Sequence, residues 1–161
     1  MNKTSVLFVC LGNICRSPTA HAVFQSMVQT RALAEQVTVD SAGTGDWHLG
    51  HAPDRRTSAV AAERGYPMDD LRARLVEPGD FEQFDYIVAM DEENLANLRA
   101  MCPADYHGNL GLFLDYSVNP EYADTNAVPD PYYGGDNGFT LVLDLVEDAS
   151  AGLLDHIAAQ L

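Results

Sequence analysis

Positive charge is scarce in this chain: 9 lysines and arginines stand against 24 aspartates and glutamates, a formal net charge of −15. Nucleic acid and anionic membranes both require lysine- and arginine-rich surfaces, so neither is expected as a partner. An anionic substrate must instead be captured by a local positive potential that overcomes the repulsive bulk field. Cysteine is sparse as well, with residues only at 10, 15 and 102. Three thiols cannot all pair, and two of them sit five positions apart, so a reducing, cytoplasmic setting is expected. No apolar run is long enough to span a bilayer, and the short one within Met1–Val9 is not followed by a signal-peptide cleavage pattern. His48 and His51 flank a glycine-rich turn without further metal ligands, and Asp136-Asn137-Gly138 lacks the downstream spacing of a calcium loop. No metal or other cofactor is expected.

What is present points to a single domain over 1–161 with 47% apolar residues, enough for a substantial core. Strand-like and helix-like patterns alternate. Thr4–Val9, Val37–Ala42, Tyr86–Met90 and Leu110–Leu114 read as short buried strands. Helices are expected after Ser17-Pro18, with Ser17 as N-cap, and over Asp54–Arg64, Glu92–Met101 and Leu141–Ala159. The last shows an apolar stripe at Leu141, Leu145, Ala149, Leu153 and Ile157. Such alternation implies an α/β fold, a parallel sheet with helices on both faces. Asp115–Asn137 is the one long irregular stretch, and its tyrosines favour a functional loop.

Directly after the first strand comes Cys10-Leu11-Gly12-Asn13-Ile14-Cys15-Arg16-Ser17-Pro18. A strand that turns through glycine into a helix N-terminus aims several backbone N–H groups into one concavity, and the helix dipole adds to the attraction for an anion. The absence of a Gly-Lys-Ser/Thr ending excludes a nucleotide-binding loop. Leu11 through Ser17 therefore form the expected phosphate cradle. Arg16 supplies a planar fork for two phosphate oxygens, and the positive environment favours the thiolate form of Cys10, a nucleophile aimed at phosphorus. Ser17 is placed to hydrogen-bond that thiolate, and Asn13 to brace the loop. In the long loop, Asp130-Pro131-Tyr132-Tyr133 offers a carboxyl group beside two aromatics, a candidate general acid for a phenolic leaving group. Trp47, the one tryptophan, follows the second strand and with Tyr132 suggests aromatic walls for a flat ring.

These segments resemble the low-molecular-weight protein tyrosine phosphatases. The likeness rests on V-C-L-G-N-I-C-R-S-P at 9–18, D-S-A-G at 40–43, F-D-Y-I-V-A-M-D at 84–91 and D-P-Y-Y at 130–133, and spans nearly the whole chain. It implies a flavodoxin-like three-layer fold with a four-stranded parallel sheet. It also implies metal-independent hydrolysis of phosphotyrosine in protein substrates through a phosphocysteine on Cys10, with Arg16 binding phosphate and Asp130 as general acid and base. By the same resemblance Asn13, Ser17 and Ser41 shape the loop. Ile14, Trp47, Tyr132 and Tyr133 line the substrate pocket, Cys15 traps oxidised Cys10 as a disulfide, and Tyr132 and Tyr133 are phosphorylation sites. A monomer is the default.

The chain departs from the family pattern at three places. Leu71 and Leu75 replace a usual His and Gln, which puts the polar network around Asp91 in question. His21 stands where many members carry Glu, and the loop before Asp130 is longer than in bacterial members. Three other functions share the scaffold. Arsenate reduction requires a thiol relay outside the cradle, where only Cys102 remains. Phosphoarginine hydrolysis goes with Thr at the position of Ile14. A phosphate-binding module has no need of Asp130.

Overall fold

The four apolar segments assemble into one parallel sheet in the computed structural model, which describes residues 3–131 and 137–161. In chain order the elements are β1 (Thr4–Cys10), α1 (Arg16–Thr30), β2 (Val37–Gly43), α2 (Arg55–Glu63), α3 (Asp80–Gln83), β3 (Tyr86–Ala89), α4 (Glu92–Met101), β4 (Asn109–Leu112) and α5 (Asn137–Ala158). Two 3₁₀ turns, Phe113–Tyr116 and Pro120–Tyr122, lie between β4 and α5. The strand order is β2-β1-β3-β4, all parallel. The chain leaves β1 toward β2 on one side and later returns to β3 on the other. The switch opens a crevice at the carboxyl end of β1, where ligands of doubly wound sheets bind.

Alternation along β1 explains why this strand is central. Val6, Phe8 and Cys10 face a core built with Val23, Phe24, Leu143, Val146 and Leu153 from α1 and α5. Leu7 and Val9 face a smaller core with Phe81, Leu95 and Leu98 from α3 and α4. Phe8 makes edge-on ring contacts with Phe24 and Phe113, with centroids 5.4 and 5.0 Å apart. Helices thus cover both faces in the flavodoxin-like manner expected.

Several local expectations need correction. Ser17 is not the N-cap: α1 begins at Arg16, Cys15 takes the cap position without a side-chain cap bond, and Ser17 turns back toward Cys10. The fourth strand stops at Leu112, because Phe113 and Leu114 bend into a 3₁₀ turn and are buried there. The last helix starts at Asn137, four residues before the predicted start. Its stripe is buried at Leu145, Ala149, Leu153 and Ile157, whereas Leu141 is 42% exposed, because Phe139, Val142 and Leu143 take the inward-facing positions at the start of the helix. Asp54 does cap α2, its carboxylate accepting from the N–H groups of Arg56 and Thr57.

Candidate active site

The loop after β1 wraps around a sulfur atom. Asn13 takes φ = 56°, a left-handed conformation that Asn tolerates better than most residues and that reverses the chain. The turn brings the N–H of Asn13 to 3.3 Å and the N–H of Ser17 to 3.4 Å from Cys10 Sγ. Ser17 Oγ lies 3.0 Å from the same sulfur. Two backbone donors directed at Sγ make it an acceptor, the arrangement suited to a thiolate at a helix N-terminus.

The loop is braced from behind by buried side chains. Asn13 Nδ2 donates to Ser17 Oγ at 2.7 Å, and its Oδ1 accepts from the N–H of Arg74 at 3.0 Å. The Arg74 guanidinium in turn donates to Asp40 and Asp80. Ser41 is buried beside this group, its N–H bonded to Asp40 and its hydroxyl 3.1 Å from His21 Nδ1. Backbone bonds from Thr44 to Cys10, Gly45 to Leu11 and Asp54 to Ile14 tie the outer side of the loop to the chain after β2. The approach there is close enough to require glycine at 43, where a Cβ would sit 2.7 Å from the Leu11 carbonyl oxygen.

Arg16, 3% exposed, is fixed from the opposite side. Its Nη1 donates to Asp91 at 2.7 Å and to the Val128 carbonyl at 3.1 Å, and Nη2 lies 3.7 Å from Asp130. Burial pulls the guanidinium pKa down, but Cys10, Asp91 and Asp130 outweigh it and leave it above the ordinary value. Asp91 also caps α4 through the N–H of Asn94. The network around Asp91 therefore runs to Arg16 and α4, and Leu71 and Leu75 lie elsewhere: Leu71 lines a separate cavity that His21 also lines, and Leu75 forms a bridge to Gly43.

Cys10, Leu11, Gly12, Ile14, Cys15, Arg16, Trp47, His48 and Asp130 line one cavity of about 320 Å³. The structure thus unites residues predicted from segments 120 positions apart, Cys10 and Asp130, around a single space. Asn13, Ser17 and Ser41 stand behind its wall. Trp47 is 68% exposed and forms part of the rim. His48 joins the lining unannounced by the sequence: its ring sits over Gly12, where a Cβ would come within 3.0 Å of it. Tyr132 and Tyr133 lie outside the described residues. Cys15 is buried and unpaired with Cys10, and burial above all pushes its thiol up to about 12. Among the described residues no cluster of three metal-ligating side chains occurs, and no helix is long and apolar enough to cross a membrane.

A doubly wound sheet with a buried cysteine and arginine in the loop after its central strand defines a class of α/β scaffold. Comparison with known proteins narrows it. The family model for low molecular weight phosphotyrosine protein phosphatase matches residues 5–161. The low molecular weight protein-tyrosine-phosphatase YfkJ of Bacillus subtilis is 42% identical over 153 residues, 95% of each chain. A crystal structure of the protein tyrosine phosphatase of Entamoeba histolytica, with Hepes in its active site, superposes with a TM-score of 0.92 at 42% identity, covering 98% of this chain and 99% of that one. A Drosophila arginine phosphatase shares the fold with a TM-score of 0.86 at 32% identity, covering 94% and 96%. The chain belongs to the low molecular weight phosphotyrosine protein phosphatase family and is a hydrolase of that class.

Proposed function

We propose that the chain hydrolyses phosphotyrosine in proteins by covalent catalysis on Cys10. The observation that carries this reading is the convergence of Asn13 N–H, Ser17 N–H and Ser17 Oγ on Cys10 Sγ inside the cavity that Arg16 and Asp130 also line. The free N–H groups of the loop and the Arg16 fork receive the phosphoryl oxygens, and the cradle places phosphorus over the sulfur. Cys10 Sγ attacks phosphorus, an S–P bond forms and the P–O bond to the ring breaks. Asp130, entering as the carboxylic acid, gives its proton to the departing phenolate oxygen. In the second step Asp130 as carboxylate takes a proton from water, whose oxygen attacks phosphorus. The S–P bond breaks, phosphate leaves and the thiolate returns. Arg16 stabilises the charge in both transition states, and its bond to Asp91 keeps the fork in place.

Ile14 and Trp47 give the cavity an apolar wall and rim suited to an aryl ring. An apolar Ile14 gives the polar guanidino group of phosphoarginine no hydrogen-bond partner, which favours phosphotyrosine over the substrate named for the Drosophila relative. Cys15, five residues from Cys10, serves as the thiol that closes a disulfide on Cys10 after oxidation and so protects it.

Hydrolysis of para-nitrophenyl phosphate in the presence of chelator tests the reading. Wild-type turnover is expected to resist chelation, and Cys10→Ser to lower kcat by at least about 10⁴. Turnover that survives in Cys10→Ser would remove the thiolate from the mechanism.

A further inference from the structure

His21 lies one helical turn beyond Ser17, so both side chains project from the same face of α1. That face meets β2 at two successive rungs. Ser17 Oγ lies 3.3 Å from the Ala42 carbonyl oxygen, and His21 Nδ1 lies 3.1 Å from Ser41 Oγ. The two rungs form a clamp between the start of α1 and the end of β2, the elements that carry the phosphate loop between them. The clamp also joins the brace behind the loop. The N–H of Ser41 bonds to Asp40, Asp40 accepts from Arg74, and the N–H of Arg74 holds Asn13.

We propose that His21 is a positioning residue for Cys10: it holds α1 in register with β2, so that Ser17 keeps its hydroxyl on the Cys10 sulfur. The proposal rests on Cys10 being the nucleophile. His21 and Leu71 line the same cavity of about 430 Å³. The groups facing the imidazole are Ser41 and Asp40 from β2, Gln25 from its own helix, Arg74, and Asp69 and Asp70 across the cavity. Burial, more than the opposing Asp40 and Gln25, holds its pKa below the ordinary histidine value, and Arg74 adds to the effect. The rung is therefore made by an uncharged ring at neutral pH.

The test measures alkylation of Cys10 by iodoacetamide against pH, with kcat and KM for para-nitrophenyl phosphate, in wild type, His21→Leu and His21→Asn. Leucine fills the space without the rung. Asparagine places an amide where Nδ1 stood and restores it. In His21→Leu the alkylation profile is expected to move to higher pH and kcat to fall roughly ten-fold with KM little changed, the scale of a sub-ångström misplacement. His21→Asn is expected to recover most of both. Ser41→Ala removes the rung from the strand side and serves where leucine at 21 prevents folding. It should reproduce the shift, with no further loss in the double variant. A wild-type profile in His21→Leu, equal impairment in Asn and Leu, or additive effects in the double variant would each overturn the proposal. Alkylation reads the clamp directly, so it remains distinguishable from failure of the Cys10 mechanism itself, which the Cys10→Ser assay reports.

Discussion

Two loops meet at the cavity, and they are held in different ways. The phosphate loop, residues 10–17, is wound on its own sulfur by the Asn13 reversal, the Asn13–Ser17 bond and the N–H groups turned onto Cys10. Ties from Arg74, Thr44, Gly45 and Asp54 brace that turn. Among the described residues, the loop that carries Asp130 includes the 3₁₀ turns Phe113–Tyr116 and Pro120–Tyr122, closed by local backbone bonds, and it is pinned to the rest of the molecule at separate points. Asp148 on α5 accepts from Ser117 Oγ and from the N–H groups of Val118 and Asn119. Val128 is buried, its N–H bonded to Met90 and its carbonyl to Arg16. A self-organised loop suits a group that must always be poised. A loop anchored at 117–119 and again at Val128 leaves the acid, two residues beyond the second anchor, able to adjust, as a group that gives and then takes a proton requires.

The comparison is sharpened first at Asp130. Asp130→Asn is expected to lower kcat on phenyl phosphate by about 10²–10⁴ and on para-nitrophenyl phosphate by much less, because a good leaving group needs no proton. Equal losses on both would mean that Asp130 serves binding rather than proton transfer. A second test probes the self-organised loop. After hydrogen peroxide converts Cys10 to the sulfenic acid, attack by Cys15 forms the disulfide and releases water. With the Cys15 thiol pushed up to about 12, its thiolate fraction rises about tenfold per pH unit through the neutral range, and disulfide formation should rise with it. Cys15→Ser should make peroxide inactivation irreversible by dithiothreitol. A closure rate flat with pH, or full recovery in the variant, would contradict this role.

The smallest effect concerns the anchor. Asp148→Ala leaves three donors without their acceptor and is expected to cost about 1–3 kcal/mol of stability. A few-fold drop in kcat on phenyl phosphate should accompany it, while the phosphate loop keeps its affinity for inorganic phosphate. Lost stability with unchanged turnover would show that Val128 alone sets the acid's position.

The same contrast explains what was legible in the sequence. The phosphate loop encodes itself in consecutive residues, so Cys10, Asn13 and Arg16 were readable where they stand. The helix at Glu92–Met101 was equally plain, with Asp91 capping it. Ser17 carries two readings in the sequence, helix cap and partner of the Cys10 sulfur; Ser-Pro is a strong local cap signal, but the folded turn gives the hydroxyl to the sulfur. Asp148 gave no signal at all: it is one acid among many, and its three partners lie about 30 positions away. The four residues of α3 are too few to show a period. His48 follows Trp47 in a turn, and nothing short of the fold brings its ring over Gly12.

The most direct test of the account is to quench Asp130→Asn in acid during turnover of an aryl phosphate and weigh its proteolytic fragments. Slowed hydrolysis of the intermediate should leave one phosphoryl group on the fragment containing Cys10, and none when Cys10 is also replaced by serine. A phosphoryl group on any other residue, or none despite continuing turnover, would contradict covalent catalysis on Cys10.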